Sequence, residues 1–277
     1  MKRLILILSL FFALCTSVSG YAKDLDKNTL LELEKLNARV VYYFNQGQYE
    51  LALAVAKNAL VVAEEKGGNN HPVVAKSMNN LGLIYKSLGQ YDEAKRNYSF
   101  ALMIFQLAEK PDTLSVAMSQ NNLASLYSAQ GKYKEAQPYY EQALSSKIRA
   151  LGSGHLSVAL SIVNLAEVYC QLGEYQLAET YYQHALVIRE EKLGRSHPLV
   201  AECLRKFADL YYKQSQYSKA EPLYKRSLEI IEKTPSKSDN DLLSILDNLS
   251  SIYKKTNREE EATKLENQAK TIRTVRN

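Results

Sequence analysis

The side chains able to do chemistry recur at one fixed spacing. His71, His155 and His197 stand at multiples of 42 residues, and His184 lies apart from them. Imidazoles bind a metal only when they converge on one point, and residues one or two repeat lengths apart do not converge, so no metal or other cofactor is expected. The chain has no HExxH, no GxSxG and no Walker loop, and catalysis is not expected either. Cys170 and Cys203 are expected to stay unbridged. The helical repeat sets them about nine residues out of level, roughly 13 Å of rise, too far for a disulfide. The chemistry that does recur is amide chemistry. Asn80, Asn122, Asn164 and Asn248 form a ladder interrupted at Lys206, and Asn79 and Asn121 stand beside it. An amide both donates and accepts, so such a ladder can hold an extended peptide backbone or brace neighbouring helices, and the sequence leaves both open.

The elements that carry these residues follow from the repetition. Tyr49, Tyr91, Tyr133, Tyr175, Tyr217 and Glu259 are spaced by 42 and mark the start of six second helices. Two residues earlier come Gly47, Gly89, Gly131, Gly173, Ser215 and Asn257, where an antiparallel helix turn needs a left-handed residue. Three residues later comes an unbroken series of Ala52, Ala94, Ala136, Ala178, Ala220 and Ala262, which requires a close helix crossing. In the first helices Leu81, Leu123 and Leu165, then Gly82, Ala124 and Ala166, then Tyr85, Tyr127 and Tyr169 share one stripe. The twenty tyrosines, with no tryptophan, reflect this repetition and are read as packing. Six repeats are expected at 30–67, 71–110, 113–152, 155–194, 197–234 and 239–277 within one array covering 23–277. The last copy carries Glu259, Glu266 and Lys270 in place of Tyr, Tyr and Leu, as a terminal repeat facing water should.

Ahead of the array, Met1-Lys2-Arg3 is followed by an apolar run from Leu4 to Leu14 and then small residues, the pattern of a signal peptide at 1–22. Cleavage is expected after Ala22, with Gly20 and Ala22 as the small residues on either side of Tyr21, and Leu14 disfavours lipidation at Cys15. The expected product is periplasmic or secreted, with no stable membrane insertion once cleaved; a lipoprotein or anchored form is the lesser alternative. Removing Lys2 and Arg3 reduces 35 basic residues to 33 against 30 acidic ones, so the formal charge falls from +5 to +3. This excess is scattered, and no nucleic-acid partner is expected.

His71-Pro72-Val73-Val74-Ala75, Asn79-Asn80-Leu81-Gly82-Leu83-Ile84-Tyr85, Asn121-Asn122-Leu123-Ala124-Ser125-Leu126-Tyr127 and Gly131-Lys132-Tyr133-Lys134-Glu135-Ala136 resemble the tetratricopeptide repeat (TPR), in the 42-residue form of the kinesin light chains. The resemblance covers about residues 30–272. It implies an all-α, right-handed superhelical solenoid of antiparallel helix pairs, with the first helices lining a concave groove. A motor-transport role does not follow, given the export signal. Carried onto this chain, the groove residues are Lys76, Asn79, Asn80, Leu83 and Lys86; Met118, Asn121, Asn122, Ser125 and Ser128; Leu160, Val163, Asn164, Glu167 and Cys170; and Glu202, Arg205, Asp209 and Tyr212. Leu160, Val163, Glu167 and Cys170 would make the repeat at His155–Gly194 the apolar floor. The expected function is a non-catalytic scaffold binding a peptide or protein segment in that groove. The alternatives are a self-assembling homo-oligomeric scaffold, or a secreted hydrolase with no recognisable motif.

Overall fold

The computed structural model describes residues 25–234 and 239–276. The segment at 1–22 expected to be a signal peptide, with Cys15, lies outside the described residues, as do positions 235–238 of the joint before the last repeat. Among the described residues every regular element is helical. The first helices of the pairs are α1 (Lys27–Asn45), α3 (Pro72–Ser87), α5 (Thr113–Ala129), α7 (Leu156–Leu172), α9 (Pro198–Lys213) and α11 (Asp239–Lys255). Their partners are α2 (Tyr49–Gly67), α4 (Tyr91–Leu107), α6 (Tyr133–Leu151), α8 (Tyr175–Leu193), α10 (Tyr217–Glu232) and α12 (Glu259–Arg276).

Each boundary has a local cause. Gly173 ends α7 in the left-handed region (φ 83°), and the amide of Glu174 donates to the carbonyl of Tyr169 at 2.9 Å. The same closing bond joins Gln216 to Tyr211 and Arg258 to Tyr253, although Ser215 and Asn257 must take φ 58° without glycine's freedom. The repeated histidines do their work at the other helix ends. Nδ1 of His71, His155 and His197 accepts from the backbone amides of Val73, Ser157 and Leu199 at 3.2, 3.0 and 3.1 Å. Asp26 and Asp112 perform the same office for Asn28 and Leu114. These imidazoles are N-cap acceptors, which satisfy amides that a helix start leaves bare.

The packing divides the chain into two compact units at Leu126 and Tyr127. In the first unit α1 packs on α2, α2 on α3 and α3 on α4, and α1 also touches α3. Leu33, Ala63, Val74, Ala75, Ala101, Ile104 and Phe105 form one core, to which Val116 of α5 adds. Val40, Ala52, Ala56, Leu81 and Ile84 form a second. In the second unit neighbouring helices pack in sequence from α6 to α12, while α7 touches α9 and α9 touches α11. The six alanines of the crossing series are fully buried. In both units, first helices therefore neighbour one another, which gathers their outward residues onto a shared face.

Several charges of the last repeat are bound rather than merely solvated. Arg258 grips Glu221 of α10 with two bonds of 3.1 and 2.6 Å and lies over the Tyr253 ring. Arg273 holds Asp247 through one nitrogen, Nη2 donating to both carboxylate oxygens at 2.9 and 2.6 Å, and Glu266 joins Lys254 and Ser250. Arg258, then burial opposing it, then Lys225 set the Glu221 carboxyl, with the net result a pKa of about 2 against an ordinary 4.5. A carboxyl with a depressed folded pKa stabilises above its unfolded value and stops doing so as pH falls toward the folded one. The melting-temperature difference between wild type and Glu221→Gln should be constant above about pH 5 and shrink toward zero as pH approaches 2. Melting curves across that window check this, and a gap that persists at the acid end would contradict it.

Candidate functional site

On the first unit, the shared face of α1, α3 and α5 is apolar with lysines at its edges. Val41, Leu83 and Met118 are 55%, 37% and 41% exposed, and Lys76 is exposed beside them. Lys86 is half-buried; its ammonium donates to Ser125 Oγ at 2.8 Å, and burial pulls its pKa down. The asparagines run beneath this surface. Asn80 Nδ2 donates to Asn37 Oδ1 at 3.0 Å, and Asn122 Nδ2 to Asn79 Oδ1 at 3.4 Å. Asn79 in turn donates to Ser119 Oγ at 2.9 Å and is only 4% exposed. Asn79 is therefore a correction to the sequence expectation: its amide is used on both sides to tie α3 to α5 and is closed to a ligand. Asn121 is half-buried, and its Oδ1 has no hydrogen-bond partner among the described residues.

On the second unit the face of α7, α9 and α11 is of a different kind. Val163 is fully buried and Cys170 nearly so, which corrects their placement in an apolar floor; of that floor Leu160 remains, 45% exposed. The flank that carries Val163 turns into the packed side of α7, where Val168 and Leu165 are also buried. Asn164 is half-buried. The charged residues are engaged with one another. Glu167 pairs with Lys206, and Arg205 with Asp209 at 3.1 Å and Asp241 at 3.4 Å. Asp209 also accepts from Tyr224 Oη at 2.5 Å and from Asn248 Nδ2 at 3.2 Å; burial pushes its carboxyl pKa up against the pull of these donors. The hydroxyls of Tyr212 and Ser251 are hydrogen-bonded to each other at 2.7 Å, and Lys213 donates to the Cys170 carbonyl at 3.2 Å. Cys170 and Cys203 are free and buried, and burial raises both thiol pKa values, Cys203 to about 12.

Glu202, expected in the groove, faces the core cation that sequence reasoning passed over. Arg189 of α8 is 2% exposed, and its Nη1 donates to the Leu199 carbonyl at 2.5 Å and to Glu202 Oε2 at 3.0 Å. One repeat earlier, buried Lys147 donates to Ser161 Oγ at 2.7 Å. The signal was present in the 42-residue register, where this slot reads Ala63, Phe105, Lys147, Arg189 and Ile231: two cations in an otherwise apolar series. Among the described residues no group of three His, Cys, Asp or Glu side chains could hold a metal ion, and no helix is long and apolar enough to cross a membrane.

The profile of the tetratricopeptide repeat matches residues 32–106, 79–149 and 155–233, well over half of the chain. The chain belongs to the tetratricopeptide repeat family. This TPR protein is thus a non-catalytic, repeat-based protein-interaction scaffold whose partner is a peptide or protein. No functionally curated protein matches it by sequence. Among solved structures it is similar to the putative kinesin light chain TPR-like repeats of Podosopora anserina, at 27% identity and a TM-score of 0.63, covering 75% of this chain and 99% of that one. Two others share the TPR fold at lower identity. BtubC (BKLC) of P. vanneervenii is 22% identical with a TM-score of 0.68, over 90% of this chain and 92% of that one. The type IV pilus biogenesis factor PilW is 18% identical with a TM-score of 0.65, over 91% and 100%.

Proposed function

We propose that the protein is exported and receives a partner segment on the first-helix face of its first unit, with apolar side chains of the partner laid over Val41, Leu83 and Met118. One contrast carries this reading. The first unit's face presents exposed apolar side chains and Lys76, whereas the acids of the second unit's face are already engaged, Glu167 with Lys206, Asp209 with Arg205 and Glu202 with the buried Arg189 of α8. A partner gains by covering exposed apolar area, and gains little from charges already paired. Export is supported by the basic start, apolar run and small residues of positions 1–22.

Site-specific photo-crosslinking in the native cell tests both parts. Crosslinkers at Leu83 and Met118 should capture one discrete protein on chains that have lost residues 1–22, and Leu83→Asp should abolish capture from Met118. Capture only from Glu167 or Glu202 would overturn the site. Capture on cytoplasmic chains that keep residues 1–22 would overturn export.

A further inference from the structure

The two terminal repeats differ in how they finish their outer surface. In α3 the positions turned toward the preceding repeat are Val74, Ser77, Leu81 and Ile84, all buried. Forty-two residues earlier the same positions of α1 are Glu32, Lys35, Arg39 and Tyr42, all exposed, with Leu31 beside them. Polar replacement there is what an end repeat needs, and in α12 part of it is tied down: Glu266 and Arg273 each hold an ion pair, with Lys254 and Asp247. On α1 the finish is incomplete. Among the described residues Glu32, Lys35 and Arg39 form no ion pair, while Leu31 and Tyr42 are 47% and 61% exposed. Asn28, Leu31, Glu32, Lys35, Leu36 and Arg39 also line an open groove of about 460 Å³.

We infer that this face of α1 docks against the same face of a second copy of the chain, as an antiparallel helix pair about a two-fold axis beside Leu36. The register argues for it. The midpoint between Leu31 and Tyr42 and the midpoint between Glu32 and Arg39 fall on either side of Leu36, one residue or about 1.5 Å apart along the helix. A single axis therefore sets Leu31 beside the second copy's Tyr42 and Glu32 beside its Arg39, and by symmetry repeats both contacts. At Leu31, Glu32, Arg39 and Tyr42 the patch is complementary to itself, as a closed pair requires; Lys35, beside the axis, meets its own copy, and its exposed ammonium must turn outward into water. Head-to-tail stacking is disfavoured because Glu266 and Arg273 of α12 are already bound within the last repeat.

Sedimentation of the whole processed chain over a range of concentrations, with helical content followed by circular dichroism, tests the pairing. Wild type should pass from monomer to dimer and no further. Glu32→Arg and Arg39→Glu should each weaken the dimer by at least about tenfold, because each sets like charges together twice. The double exchange, Glu32→Arg with Arg39→Glu, should restore it, since the two-fold axis keeps every exchanged pair complementary. Leu31→Asp should give a folded monomer. A wild-type chain that stays monomeric overturns the inference, as does a dimer indifferent to the single exchanges or not rescued by the double one.

Discussion

Glu202→Ala is expected to destabilise the second unit by about 3 kcal/mol, the lower end of the range for stranding a buried charge. Arg189 is 2% exposed, and its carboxylate partner and the Leu199 carbonyl are its two acceptors. Removing the carboxylate leaves a guanidinium out of water with one neutral acceptor. The Leu199 bond and partial access of water at Glu202, whose side chain is 31% exposed, keep the loss from being larger. Arg189→Met should behave oppositely. It fills a comparable volume, returns the slot to the apolar character it has at Phe105 and Ile231, and lets Glu202 hydrate, so stability should hold or rise. Paired melting curves decide the matter: a fall of roughly 6–12 °C for Glu202→Ala with little change for Arg189→Met. Equal losses from both would show that the pair is itself a net source of stability.

Gly82→Ala is a substitution for which the repeat pattern and the packing give opposite signs. Later copies carry Ala124, Ala166 and Ala208 at this slot, and alanine is about 1 kcal/mol better than glycine inside a helix. On that ground the change should stabilise α3. A Cβ at Gly82, however, would lie 2.6 Å from Cδ1 and Cε1 of the Tyr98 ring, which has moved into the space alanine would need. Tyr98 is fully buried, and its ring has nowhere to swing without reopening the core. Overpacking of this kind costs about 1–3 kcal/mol, so Gly82→Ala should come out destabilising by about 1 kcal/mol net, and the bulkier, β-branched Gly82→Val by about 2–3. Chemical denaturation measures both. The double variant Gly82→Ala with Tyr98→Leu should recover most of the loss, because the leucine vacates the contested space.

Tyr98 also shows what a repeat does not transmit. Tyr224 occupies its slot three repeats on and gives its hydroxyl to Asp209, while the Tyr98 hydroxyl is buried without a partner and its pKa is driven up by burial. The aspartate is replaced in the first unit by Leu83. That single difference turns a polar junction into part of an exposed apolar face.

The period of 42, the helix pairs, the left-handed turn residues and the buried alanines could all be read from the residues, because each depends on one helix and its own turn: 3.6 residues per turn fix which side chains share a stripe, and Gly, Ser or Asn fixes where the chain reverses. Family and interaction role followed from the same motifs. The candidate face was legible only as a set of outward positions. Whether a position on the flank of that set meets water or the next helix depends on how two helices 42 residues apart pack, and a single wheel does not contain that information. Asn79 and Val163 went under for this reason, Leu83, Met118 and Leu160 stayed out, and the charges of Glu202, Arg205 and Asp209 were spent on partners 4 to 39 residues away. Helical periodicity wrote the scaffold into the chain one turn at a time, whereas the availability of each surface group was decided by side chains that come together only after the helices stack.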